Sequence, residues 1–216
     1  MRVWLTVTAV LALAASAVAA VDVDLGAYDE ARRRGVTGSL EGRVYAERPK
    51  PNAPDQPLPG AAVIALPRSG SLVRRLEELR SRARDSAETY RDAATLMRQA
   101  RETYERQLWE AGAAELVRTA VVDADGRFAF GELPAGRWLV LASHARPMEV
   151  HSPKANQRDR QRYRLPPRLV GYRAEALWLR EIDVAAGLAT TVELTDRNVW
   201  FTGVVEDRVL DAGPSR

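Results

Sequence analysis

Apolar and polar positions alternate along several short stretches of the chain, which are separated by glycine and proline. Residues 39–47, SLEGRVYAE, place apolar or small side chains on one face and polar side chains on the other, as a half-buried strand does. The continuous apolar run GAAVIAL at 60–66 predicts a central strand. The proline-rich segment 49–59 predicts the link between the two strands, because proline cannot donate to a sheet ladder.

Further strands follow the same logic. Residues 118–142 predict three strands and two turns, and the glycine of the turn at 123–126 supplies the positive φ that a tight hairpin needs. Strands are also predicted around 176–184 and 190–194, joined at Gly187, and the apolar patch 199–205 predicts an edge strand or a docking tail. The side chains expected to face the core are Phe128, Phe130, Trp138 and Trp178.

The order of these motifs resembles the carboxypeptidase regulatory-like domain, a transthyretin-like, prealbumin-type sandwich. The segments that carry the resemblance are GRV at 42–44, PLPGAAV at 57–63, DADGRFAFGELPAGRWLV at 123–140 and IDVAAGLATTVEL at 182–194. The resemblance implies an antiparallel Ig/transthyretin-like β-sandwich in a mainly β chain. It also implies a module for attachment, folding support or ligand binding, without catalysis of its own.

A long segment without glycine or proline interrupts the strand pattern. Along 72–111, apolar residues recur at heptad spacing among arginines and glutamates, which predicts amphipathic helix. A straight helix of this length would span ~60 Å, whereas both ends return to one small sandwich. We therefore expect a helical hairpin, inserted at 72–116 and projecting from the sandwich. Its second helix is expected to be capped at 85–88, with Glu88 as the partner in a capping box, or alternatively at Asp92. The residues expected to contact an envelope protein or a second copy are Leu76, Tyr90, Met97 and Tyr104.

The segment 144–173 is a second candidate for recognition. It holds eight arginines and lysines against two acids, a net charge of +6, with interleaved tyrosines. Such a basic loop suits a glycan or polyanion, and the alternative is a solvated loop in an arginine-rich chain. The residues expected to contact the ligand are Arg158, Arg160, Arg162, Tyr163, Arg164 and Arg168. No nucleic-acid binding is expected, because the 32 basic residues of the chain are nearly balanced by 29 acids.

The first twenty residues have the order of a secretory signal: Arg2, an apolar core and small residues at the end. We expect cleavage after Ala19 or Ala20, no transmembrane segment in the mature chain, and a periplasmic or secreted location. Beyond the signal, we expect a leader at 21–38, the sandwich at 39–205 and a tail at 206–216.

The residue types present argue against catalysis and metal binding. The chain has no cysteine, and its two histidines, His144 and His151, are not in a His-x-x-Glu arrangement, so a zinc-peptidase site has no ligands. Asp123 and Asp125 provide too few oxygens for Ca²⁺, which takes six to eight. We therefore expect no enzyme, no cofactor and no metal, but a binding or assembly module of the cell envelope that acts through its hairpin. The alternative is a carbohydrate- or polyanion-binding module that acts through its basic loop.

Overall fold

The computed structural model describes residues 21–48, 50, 52–148 and 168–209, apart from the side chains of 168–170 and 207–209. Its helices are α1 (Leu25–Arg33), α2 (Gly70–Arg82) and α3 (Ala87–Glu110), with short 3-10 turns at Ala114–Leu116 and Asp196–Asn198. Its strands are β1 (Thr37–Ala46), β2 (Gln56–Pro57), β3 (Ala62–Pro67), β4 (Arg118–Val121), β5 (Arg127–Pro134), β6 (Gly136–Met148), β7 (Arg168–Val184), β8 (Ala189–Thr195) and β9 (Phe201–Val209).

The strands form two sheets that share one core. In the first sheet, β1 pairs antiparallel with β5 and β2 and parallel with β8. The second sheet has the order β4-β3-β6-β7-β9, and all its pairs are antiparallel. The predicted mainly β sandwich with a helical insertion is confirmed.

Aromatic side chains fill the space between the sheets. Phe128, Phe130, Trp138 and Trp178 are 6%, 4%, 0% and 1% exposed, so the predicted inward positions are confirmed. Each buried indole N–H finds a carbonyl: Trp138 Nε1 donates to Pro134 O at 2.9 Å, and Trp178 Nε1 donates to Thr195 O at 2.8 Å. Because both indole N–H groups form hydrogen bonds, they are buried without the free-energy cost of an unpaired donor.

The turn at 123–126 has the predicted chemistry but a different role. Gly126 has a φ of +79°, and Asp123 Oδ1 accepts the N–H groups of Asp125 and Arg127 at 3.0 and 2.7 Å. However, β4 pairs with β3 and β5 pairs with β1, so the predicted hairpin is wrong and the turn links the two sheets. The turn residues determine that the chain reverses, and the neighbouring strands determine where it pairs.

The two long helices form the predicted hairpin. Ser86 caps α3, with its Oγ accepting the Thr89 N–H at 3.1 Å and the Thr89 hydroxyl oxygen accepting the Ser86 N–H at 3.0 Å. The partner in this capping box is thus Thr89 and not the predicted Glu88.

The expectation that the hairpin projects from the sandwich is wrong, because it covers the outer face of the second sheet. Tyr104 donates its hydroxyl to Pro67 O of β3 at 3.0 Å. At β9, a Cβ built on Gly203 would lie 2.7 Å from the Ala94 Cβ, so α3 crosses that strand at close range. The molecule therefore has three layers: the first sheet, the second sheet and the hairpin.

Several predicted boundaries also change. The leader at 21–38 belongs to the domain, because Val21, Val23 and Leu25 pack against the core and β1 begins at Thr37. At the other end, β9 continues to Val209, into the predicted tail. No helix among the described residues is long and apolar enough to cross a membrane.

Candidate functional site

The four hairpin residues expected to meet a partner are mostly inside the fold. Leu76, Met97 and Tyr104 are 1%, 3% and 3% exposed, and Tyr90 is 37% exposed. The prediction that the first three form a partner surface is therefore wrong for this fold. They pack over an apolar sheet face formed by Ile64, Leu66, Leu139, Leu141, Leu177 and Leu179, which alternate with the core-facing residues of β3, β6 and β7.

The predicted contacts of the basic loop fall largely outside the described residues. Arg158, Arg160, Arg162, Tyr163 and Arg164 lie in 149–167, and Arg168 is the first residue of β7 with an undescribed side chain. The loop boundaries 144–173 are wrong, because β6 extends to Met148 and β7 starts at Arg168. The described strands nevertheless show where the basic segment is inserted.

Three strands continue beyond the rest of the sandwich. In the described residues, β3 pairs with β6 only as far as Ala62 opposite Ser143. The ladder between β6 and β7 continues to Met148 opposite Tyr172, and β9 follows β7 on its other side. We name residues 144–148, 168–176 and 202–209 the strand extension. The basic segment 149–167 connects two of the three strands of the strand extension, β6 and β7.

The two faces of the strand extension differ. On one face, Glu175 accepts a hydrogen bond from Arg98 of α3 at 2.7 Å, so the hairpin covers this side. The alternation of the strands places His144, Arg146, Met148 and Tyr172 on the other face. Arg146 and Met148 are exposed there, and His144 and Tyr172 are half-buried.

The chemistry of this open face suits an acidic or hydroxyl-rich ligand. Burial, and then the charge of Arg146, lower the pKa of His144, so its imidazole is predominantly neutral at pH 7 and can both donate and accept hydrogen bonds. Arg146 provides a guanidinium, and Tyr172 an aromatic ring with a hydroxyl. The predicted strand ends at Ala142, although polar and apolar residues alternate from His144 to Pro147, which is a signal that the strand continues.

No family model and no curated protein sequence matches this chain. Among solved structures, the fold is similar to a putative carbohydrate binding protein from Pseudomonas aeruginosa, at 14% identity and a TM-score of 0.42, over 74% of this chain and 88% of the other. A pilus backbone protein from Streptococcus pneumoniae is 15% identical over 74% of this chain and 41% of the other, with a TM-score of 0.28. A minor pilin from Streptococcus agalactiae is 11% identical over 83% and 100%, with a TM-score of 0.29. The similarity concerns the β-sandwich and not what this chain binds.

Proposed function

We propose that the protein is a non-catalytic binding module exported to the cell envelope, built on a carboxypeptidase regulatory-like sandwich. Its recognition surface is the open face of the strand extension together with the basic segment 149–167. The ligand class is an acidic glycan or another polyanion. The observation that carries this proposal is the continuation of β6 and β7 past the sandwich, which leaves one face of the ladder uncovered among the described residues.

Charge and rigidity support this location. Residues 144–173 carry a net charge of +6, and the strands that flank the basic segment are paired with each other as far as Met148 and Tyr172. Side chains on paired strands lose less conformational freedom on binding than side chains on a free tail. The surface thus combines electrostatic attraction with a fixed platform.

The hairpin is less well supported as a partner surface. Leu76, Met97 and Tyr104 are buried within the chain, and the sheet supplies the packing surface that the two helices require. Tyr90, at 37% exposed, already contacts Phe201, with the ring centroids 6.1 Å apart.

The test is a binding measurement on the mature chain with immobilised polygalacturonate, and with neutral dextran as the uncharged reference. A variant changes four arginines of the basic segment to glutamine: Arg158, Arg160, Arg162 and Arg164. The wild type should bind polygalacturonate and not dextran, and the variant should bind at least about tenfold more weakly, because charge-assisted contacts are lost. Binding should also weaken as salt is raised.

A matched control removes the same charge elsewhere. It changes four exposed arginines outside the site to glutamine: Arg34, Arg74, Arg84 and Arg106. The control should keep most of the wild-type affinity. Equal losses in the two variants would show that net charge acts without a site, and no loss in the first variant would reject the proposal.

A further inference from the structure

A cleft of about 540 Å³ lies on the other side of the molecule, away from the hairpin. It crosses the outward face of the first sheet, where β1, β5 and β8 run side by side, and reaches the edge strand β4. Its lining includes Glu41, Arg43, Val121, Asp123, Arg127, Ala129 and Thr191. None of them belongs to the strand extension.

Two arginines face each other in this cleft. Arg43 of β1 is directly opposite Arg127 of β5 in the antiparallel register. They alternate with the inward residues Gly42 and Phe128, so both point to the outer face. Like charges directly opposite each other destabilise an antiparallel pair. In the described part of the chain, neither guanidinium has a carboxylate within 4.0 Å.

The Arg43 side chain is fixed in place. Its Cζ lies 4.9 Å from the centroid of the Tyr45 ring, and the Tyr45 hydroxyl donates to Glu193 Oε2 at 3.0 Å. The Arg43 Nε is buried and has no hydrogen-bond partner among the described residues. The buried Nε is not accessible from the cleft, but the Arg43 side chain lines it, and a fixed guanidinium matches a carboxylate, which accepts two parallel N–H···O bonds from arginine. Fixing the side chain in advance also lowers the entropy cost of binding.

The rest of the lining selects against a simple anion. Glu41 and Asp123 border the cleft, so a phosphate or a chain of closely spaced charges would place additional negative oxygens against them. Sugar hydroxyls both donate and accept, and they can donate to Glu41 and accept from the Thr191 hydroxyl. Ala129 and Val121 offer apolar surface to the C–H groups of a sugar ring, and Val121 is 71% exposed.

We infer that this cleft binds an acidic sugar residue, with its carboxylate between Arg43 and Arg127 and its hydroxyls toward Glu41 and Thr191. Glu193 is opposite Arg43 on β8, but its carboxylate accepts the Tyr45 hydroxyl and lies beyond 4.0 Å from the Arg43 guanidinium, so the ligand supplies a carboxylate that both guanidinium groups can contact directly. This inference does not rest on the strand extension. Variants in each site test the two separately.

The experiment titrates D-glucuronate into the ¹⁵N-labelled mature chain and follows the Nε–H signals of the arginines by NMR. We expect a saturable shift of the Arg43 signal, which is assigned from its absence in Arg43→Gln. D-glucose, which has the same ring without the carboxylate, should leave the signal in place. Arg43→Gln and Arg127→Gln should each weaken glucuronate binding by about tenfold or more. Binding to these variants is measured from the shifts of the backbone amide signals of β1 and β5 residues that line the cleft.

The control is Arg33→Gln, in which an arginine that is 65% exposed on α1 loses its charge and binding should stay unchanged. If Arg43→Gln does not fold, Arg127→Gln decides the question, because the Arg127 side chain is exposed.

Equal shifts with D-glucose would overturn the acidic-sugar assignment in favour of a neutral sugar. Phosphate binding as tight as glucuronate binding would overturn it in favour of a bare anion site. Absence of a saturable shift, or wild-type affinity in folded Arg127→Gln, would overturn the site itself.

Discussion

Phe130 lies between the two sheets and is 4% exposed, with its ring centroid 6.0 Å from that of Phe128. Phe130→Ala removes a large apolar side chain and leaves a cavity, and we expect a loss of about 3–5 kcal/mol in the free energy of unfolding. Urea denaturation measures it. Val121→Ala is the control, since Val121 is 71% exposed and its loss should stay under about 0.5 kcal/mol. A near-neutral Phe130→Ala would contradict the strand register.

Arg98 and Glu175 form an ion pair whose two members are unequally buried. Arg98 Nη2 lies 2.7 Å from Glu175 Oε2, and their side chains are 37% and 6% exposed. Arg98→Met leaves the carboxylate buried without its cation, so we expect a loss of about 2–4 kcal/mol in unfolding free energy. Glu175→Gln leaves a guanidinium that can reach water, so its loss should stay below about 1 kcal/mol. Equal losses in urea denaturation would contradict this asymmetry.

At the scale of the element, the N-terminus of α2 is held by a segment distant in sequence. Ser69 Oγ accepts the Leu72 N–H at 3.0 Å, and Asp22 accepts the Ser69 hydroxyl at 2.5 Å and the Ser71 N–H at 2.7 Å. Burial raises the pKa of Asp22, but the hydrogen bonds from Ser69 and Ser71 outweigh it and hold the pKa below its ordinary value of 3.8. The carboxylate therefore stabilises the fold above pH 3.8, and this stabilisation is lost as the pH falls through the lower folded pKa.

Asp22→Asn should accordingly be less stable than the wild type at pH 7, and the difference should shrink below about pH 4 as Asp22 is protonated in the wild type. Chemical denaturation at a series of pH values measures the difference. Asp92→Asn, in an exposed position of α3, serves as the control and should show no such convergence. A difference that persists unchanged at pH 3 would mean that the Asp22 charge does not contribute.

The sequence predicted the strands and the helical hairpin, because each has a strong local pattern. The period-2 alternation of 39–47 and the glycine-free, proline-free stretch 72–111 are such patterns. A signal for the third layer was also present: the run GAAVIAL at 60–66 is apolar at every position except its glycine, which indicates a strand buried on both faces. The hairpin is what covers the second face.

Local sequence patterns do not determine which strands that are distant in sequence pair with each other. The turn at 123–126 fits both a hairpin and a link between sheets, and only the pairing of β4 with β3 decides between them. In the same way, Arg43 and Arg127 are far apart in the sequence and become neighbours through the register of β1 and β5. The cleft they line could not be predicted, because no spacing in the sequence brings them together.

The packing of the first described residues is compatible with removal of the predicted signal peptide. Val21, Val23 and Leu25 pack against the core, so cleavage after Ala19 or Ala20 would leave every one of these contacts in place. We predict that mass spectrometry of the protein from an envelope fraction will show a chain that starts at Ala20 or Val21. A chain that starts at Met1 in that fraction would contradict the predicted signal peptide.

The hairpin forms the third layer of the fold. If the second sheet supplies its packing surface, the protein should be a monomer in solution. Leu76 and Met97 lie between the hairpin and the second sheet, at 1% and 3% exposed. Leu76→Glu and Met97→Glu should each bury a charge, lower helix content and stability, and expose the apolar sheet face, so the protein should aggregate.

Tyr90→Glu is the matched control, because Tyr90 is 37% exposed on α3, so its replacement removes one ring contact with Phe201 without placing a charge between the hairpin and the sheet. We expect the wild type and Tyr90→Glu to be folded monomers by light scattering. The contrary result would be that the wild type is an oligomer and that Leu76→Glu is a folded, helical monomer. That outcome would show that the hairpin packs on a second copy and that the sheet does not supply its main contact surface, since a side chain at a subunit interface can be changed without loss of the monomer fold.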